Sequence, residues 1–84
     1  MSMPYVPRDR SDDYEEEAEV VFQILGITMM GWSEPCTLYD FTYDPNDADQ
    51  RRQLDELFRC PWAPDEPLVD ILERARQAAA RRAE

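Results

Sequence analysis

The chain contains no histidine and no lysine, only two cysteines and two glycines, and no long apolar run. Each scarcity excludes something. Without imidazole, neither a Ser-His nor a Cys-His catalytic arrangement can form, nor can a zinc site that needs a histidine ligand. Two thiols alone cannot close a four-ligand zinc site of nitrogen and sulfur, so no metal and no cofactor is expected. Residues 20–32 form the most apolar window, but Gln23 and Thr28 interrupt it and Glu15, Glu16, Glu17 and Glu19 precede it. No stretch approaches the 18 or more apolar residues of a membrane helix, and no membrane association is expected. The opening residues Met1, Ser2, Met3, Pro4 and Tyr5 lack the basic segment and apolar segment of a secretory signal, which predicts a cytoplasmic protein. In that compartment Cys36 and Cys60 are expected to be free thiols. That all nine basic residues are arginine suggests no mechanism.

What the chain has in excess is negative charge. Nineteen acidic residues face nine basic ones, a net charge of −10 over 84 residues. A chain of this length builds one modest core, and its charge opposes direct binding to nucleic acid or to an anionic membrane. A basic or apolar protein surface is the expected partner. The charge is also unevenly placed. Residues 1–49 carry 12 acids and 2 arginines, a net of −10, whereas residues 50–84 carry 7 of each and are neutral.

Local patterns predict a mainly helical fold, a small single-domain bundle formed by residues 12–84 behind a flexible arm at 1–11. Pro4, Pro7 and the low apolar content give the arm its character. Tyr14, Ala18, Val21, Phe22 and Leu25 recur at helical spacing, opposite Asp12, Glu15, Glu16 and Glu19. Alternation of Ala18, Val20, Phe22 and Ile24 also suits a strand, but a cap at Asp12 or Asp13 and Gly26 followed by Ile27 favour a helix over 13–25. Met29, Met30 and Trp32 are expected to cover the core. Segment 36–43 stays open: Tyr39, Phe41 and Tyr43 share a face if it is a strand, making the fold α+β, while Ser33, Glu34 and Pro35 would open a short helix. Asp44 followed by Pro45 predicts a helix over 45–59 with Asp44 as cap, and Asp65 is expected to cap a last helix over 66–82. The predicted core is Phe22, Leu25, Leu54, Leu57, Phe58, Leu68, Ile71 and Leu72, with Ala75 and Ala79 facing inward.

Two acidic groups are the candidate functional features. Asp12, Asp13, Glu15, Glu16, Glu17 and Glu19 fall within eight positions, about 12 Å of helix, which approaches the charge spacing of a DNA duplex. A solvated helix face gives the same pattern, but crowding like charges at i, i+3 and i+4 costs roughly 0.2–0.5 kcal/mol per pair, and solubility does not require it. The second group interleaves Tyr39, Asp40, Phe41, Tyr43, Asp44, Asp47 and Asp49. Tyrosines among carboxylates suit an interface with a basic protein, although turns and caps account for Asp44 and Asp47 as well. Read as a calcium loop, 44–55 lacks the fifth-position ligand and the following glycine. No carboxylate pair has apolar flanks that would raise a pKa, and Cys36 has no imidazole to activate it, so no enzymatic activity is expected.

In size and in the acidic runs 12–19 and 40–49, the chain resembles the small acidic proteins by which phages block host defence, the anti-CRISPR and anti-restriction inhibitors that imitate nucleic acid. That resemblance implies a non-enzymatic inhibitor bound to the basic surface of a nuclease or CRISPR effector subunit, blocking DNA or guide access. The contacts would come from Asp12, Asp13, Glu15, Glu16, Glu19, Tyr39, Asp40, Tyr43, Asp44, Asp47 and Asp49. The alternative is an antitoxin, immunity or assembly partner that uses the apolar surface around Trp32, Tyr39 and Trp62.

Overall fold

A computed structural model describes residues 10–28, 32 and 35–83. They form α1 (Arg10–Asp13), α2 (Glu15–Leu25), a 3-10 helix (Leu38–Phe41), α3 (Ala48–Phe58) and α4 (Leu68–Ala83). The fold is mainly helical, with α2, α3 and α4 packed against one another. Among the described residues there is no strand, only an isolated bridge between Thr37 and Pro67, and no helix long and apolar enough to cross a membrane.

α2 buries Ala18, Val21, Phe22 and Leu25 and ends as its sequence predicts. Gly26 takes φ 76°, its N–H reaches the Gln23 carbonyl at 3.1 Å, and the Ile27 N–H reaches Phe22 at 3.0 Å, the two bonds of a Schellman ending. The start differs. Neither Asp12 nor Asp13 caps α2, because both already lie in α1, and the chain breaks at Tyr14 (φ −118°, ψ 18°). Helical structure therefore reaches back to Arg10, inside the predicted arm; residues 1–9 lie outside the described residues.

Segment 36–43 is not a strand but holds a short helix of 3-10 form entered at Thr37; residues 33 and 34, expected to open it, lie outside the described residues. Thr37 caps the 3-10 helix: its N–H and hydroxyl both donate to Asp40 Oδ2, at 2.8 and 3.0 Å. Thr42 ends it in the left-handed region at φ 63°. The segment is pinned by the chain across from it, since Leu38 N donates to the Pro64 carbonyl (3.2 Å) and Leu68 N donates to the Cys36 carbonyl (2.7 Å). The second bond explains why α4 starts at Leu68 without Asp65 as cap: a backbone carbonyl takes an N–H of its first turn. α3 likewise starts three residues later than predicted. Asp47 accepts from Gln50 N at 3.1 Å as the true cap, while Asp44 accepts from Asn46 N at 2.9 Å and closes a local turn around Pro45.

The core joins Phe22, Leu25, Leu54, Phe58, Leu68, Ile71 and Leu72, all expected inside, with Ala18, Val21, Leu38, Tyr43 and Val69. Leu57 and Ala75 are half-buried at its margin and Ala79 is exposed, because α4 runs past the end of the packed layer. Trp32 is half-buried and meets Phe22 edge-on at 6.3 Å, covering the core; Met29 and Met30 lie outside the described residues.

Leu38→Ala and Leu72→Ala should each cost about 2–5 kcal/mol of unfolding free energy, while Glu16→Ala should be nearly neutral, as chemical denaturation would measure. Thr42→Gly, which relieves a β-branched residue held at positive φ, should raise stability by up to about 1 kcal/mol in the same assay.

Candidate functional site

The first acidic group projects from α1 and the first turns of α2. Asp12, Glu15, Glu16 and Glu19 are exposed, as the helical projection predicts, and so is Asp13, but the row is not a straight 12 Å rod because the break at Tyr14 divides it. Glu17 turns the other way and is half-buried. With Asp12, Asp13, Tyr14, Glu15 and Glu16 it lines an open depression of about 400 Å³.

One arginine from the far end of the chain organises this region. Arg76 on α4 donates from Nε to Glu17 Oε1 at 2.7 Å, donates from Nη2 to the backbone carbonyl of Asp13, and lies over the Tyr14 ring at 4.1 Å from its centre. The Asp13 bond gives the carbonyl at the C-terminal end of α1 a donor, and the ring contact holds Tyr14 at the break. Sequence reasoning missed Arg76. Nothing local marks it, since 59 residues separate it from Glu17 and only the packing of α4 on α2 brings them together.

The carboxylates of the second group are also exposed, but each has local work. Asp40 closes the Thr37 cap, Asp44 holds Asn46, Asp47 caps α3, and Asp49 pairs with Arg52 at 3.3 Å. Among the described residues no such partner meets Asp12, Glu15, Glu16 or Glu19. The two groups therefore differ in their side-chain bonds: the carboxylates at 40–49 hold turns, a cap and an ion pair, whereas Asp12, Glu15, Glu16 and Glu19 make none among the described residues. Asp12, Asp13, Glu15, Glu16 and Glu17 stand in the first turns of α1 and α2, where negative charge complements the helix dipole.

The tyrosines also divide. Tyr39 is 52% exposed, whereas Tyr43 is 5% exposed and belongs to the core, which removes its ring from any accessible contact surface. They meet edge-on at 5.8 Å, and Tyr43 meets Trp62 at 5.9 Å. Trp62 donates its indole N–H to Asp55 at 2.6 Å, packs on Phe58 and carries Arg51 over its ring at 5.7 Å. Arg51 thus packs on an aromatic ring, Arg59 donates to the Glu56 carbonyl, and Arg52 pairs with Asp49. The Tyr43 hydroxyl is buried without a hydrogen-bond partner, and burial pushes its pKa up while Arg51 draws it partly back. Both cysteines are free and half-buried, and burial likewise raises the Cys60 thiol. No group of three metal-ligating side chains occurs among the described residues.

Arg76→Ala should cost about 1–2 kcal/mol in denaturation, and Arg76→Lys should recover only part, since an ammonium cannot reproduce the fork and the ring contact together. Burial disfavours the Tyr43 phenolate, so its folded-state pKa lies above the unfolded value: below the unfolded pKa ionisation takes nothing from stability, and stability is lost as pH rises from there through the folded value. Tyr43→Phe should therefore flatten the loss of stability above about pH 10 and be neutral to mildly stabilising at pH 7, read by denaturant titration at both pH values. The chain matches no known protein family, no curated protein and no solved structure.

Proposed function

We propose that the protein is a non-enzymatic inhibitor that lays the acidic face of α1 and α2 on a basic, nucleic-acid-binding surface of a defence complex, such as a nuclease or CRISPR effector subunit, and so blocks DNA or guide access. The observation that carries this reading is the contrast between the two acidic groups. The carboxylates at 40–49 are explained by the caps and pairs they make. Those at Asp12, Glu15, Glu16 and Glu19 are crowded at i, i+3 and i+4, repel one another and hold no turn, cap or ion pair among the described residues. Concentrated negative charge suits a surface built for phosphates even in a row divided at Tyr14, and opposite charge across such an interface speeds encounter and sets register.

Tyr39 supplies the apolar component. An exposed tyrosine backed by Tyr43 and Trp62 is a rigid anchor of the type that slows dissociation. The same surface favours a second reading, an antitoxin, immunity or assembly partner that binds through aromatic contact and not through charge.

Purification of complexes from a bacterial lysate at several salt concentrations separates the two. Inhibition by mimicry requires a basic nucleic-acid-binding partner that is released as salt rises and is displaced by DNA; a salt-resistant, non-basic partner supports the second reading. Reversing Glu15, Glu16 and Glu19 to lysine should abolish binding with the helix still folded by circular dichroism. Retained binding by that variant would remove the acidic face from the mechanism.

A further inference from the structure

Three shallow depressions run one into the next across the molecule. The acidic one at α1 and α2 shares Glu17 and Arg76 with a second, of about 210 Å³, which also meets α3 and α4. The second shares Leu57, Phe58, Ala75 and Ala79 with a third, of about 330 Å³, which reaches Arg59 and Arg82. Along the middle of this trough Phe58 and Leu72 are buried, Leu57 and Ala75 are half-buried and Ala79 is exposed. An apolar strip thus meets solvent between two charged ends.

The ends differ in sign. At one stand the acids of α1 and α2 with Glu17, whose Oε1 pairs with Arg76 while its Oε2 is buried without a partner. At the other, hydrogen bonds fix where both guanidinium groups lie: Arg82 donates from Nη2 to the Arg59 carbonyl and Arg59 donates from Nε to the Glu56 carbonyl, each at 3.1 Å. Both acceptors are backbone, and among the described residues neither arginine makes an ion pair. Residues 50–84 carry no net charge, so two copies of the chain meet with least repulsion through α3 and α4. A uniformly basic partner would be repelled at the Arg59 and Arg82 end, and a uniformly acidic one at the α1 and α2 end. A second copy turned end for end matches both.

We propose that the trough between α3 and α4 is the interface of an antiparallel, two-fold dimer of this chain. The strips of Leu57, Ala75 and Ala79 meet at the axis, and the Arg59 and Arg82 end of each copy lies against Glu17 at the edge of the other copy's acidic depression. A two-fold contact uses one patch twice and so needs a self-complementary surface, which an apolar centre between ends of opposite charge provides. Alanines at 75 and 79, one turn apart on α4, let the two α4 helices approach closely. Burial of the apolar strip drives the association, and the charged ends set its direction. The dimer goes beyond the inhibitor reading and does not depend on it.

Sedimentation equilibrium of the full chain over a wide range of concentration is the test. The mass should rise from 9.9 kDa, that of one chain, towards twice that value. Ala79→Glu, at an exposed position, sets two carboxylates against each other at the axis and should weaken association by at least about tenfold, with the helix content by circular dichroism unchanged. Arg82→Glu should weaken it by a smaller factor, since its contact lies at the rim. Tyr39→Ser, which removes the exposed ring of the 3-10 helix, should leave it unchanged. A single-chain mass at every concentration, or a dimer indifferent to Ala79→Glu, would overturn the proposal. A dimer lost in Tyr39→Ser would place the contact on the aromatic surface instead, and tighter association of Arg82→Glu would overturn the antiparallel arrangement.

Discussion

The excess negative charge of residues 1–49 has to be held against a half-chain that carries none, and Arg76 is where the two halves meet electrostatically. Its guanidinium satisfies a side chain, a backbone carbonyl and an aromatic face at once. Repulsion among Asp12, Asp13, Glu15, Glu16, Glu17 and Glu19 works against the favourable placing of these acids at helix starts, and a helix of four residues such as α1 does not hold by itself. The apolar stripe of Ala18, Val21, Phe22 and Leu25 fixes the second half of α2 in the core, but it does not reach the residues before Tyr14. The partly exposed contacts of one arginine on α4 give that region a defined direction. Each is individually modest, and their combination on one planar group makes the arrangement specific.

How far the sequence foretold this depends on whether a signal was local. The cores of α2, α3 and α4 follow from apolar spacing, and the Gly26 ending follows from a residue that accepts positive φ without cost. Helix starts were less legible because acidic residues abound: Asp44, Asp47 and Asp49 all suit a cap, and the side chain of Gln50, which accepts the Asp44 N–H at 3.0 Å, helps settle that Asp44 closes the turn and Asp47 the helix. Segment 36–43 was illegible for a different reason. Its 3-10 form rests on backbone bonds to residues 64–68, and no periodicity within eight residues encodes a partner nearly thirty positions away. Leu38 and Val69, both fully inside, were missed on the same ground.

The candidate surface was half legible. Charge asymmetry located the acidic face on α1 and α2, and the structure keeps Asp12, Asp13, Glu15, Glu16 and Glu19 outward. Composition cannot separate a carboxylate that caps a helix from one that caps nothing. Only hydrogen-bond geometry divides 40–49 from 12–19, and only burial divides Tyr39 from Tyr43, whose neighbouring positions look equivalent in an aromatic, acidic stretch.

The hydrogen bond from Leu68 N to the Cys36 carbonyl closes a loop of residues 36–68 around α3. By the logarithmic law for chain closure, a loop of that length loses about 3 kcal/mol of conformational freedom beyond a constant term. The cost falls on a junction that serves the 3-10 helix and the entry of α4 together, through Leu38 N to Pro64 and Leu68 N to Cys36. The 3-10 helix and the first turn of α4 are thus coupled through that junction, and loosening either weakens the backbone bonds that hold the other.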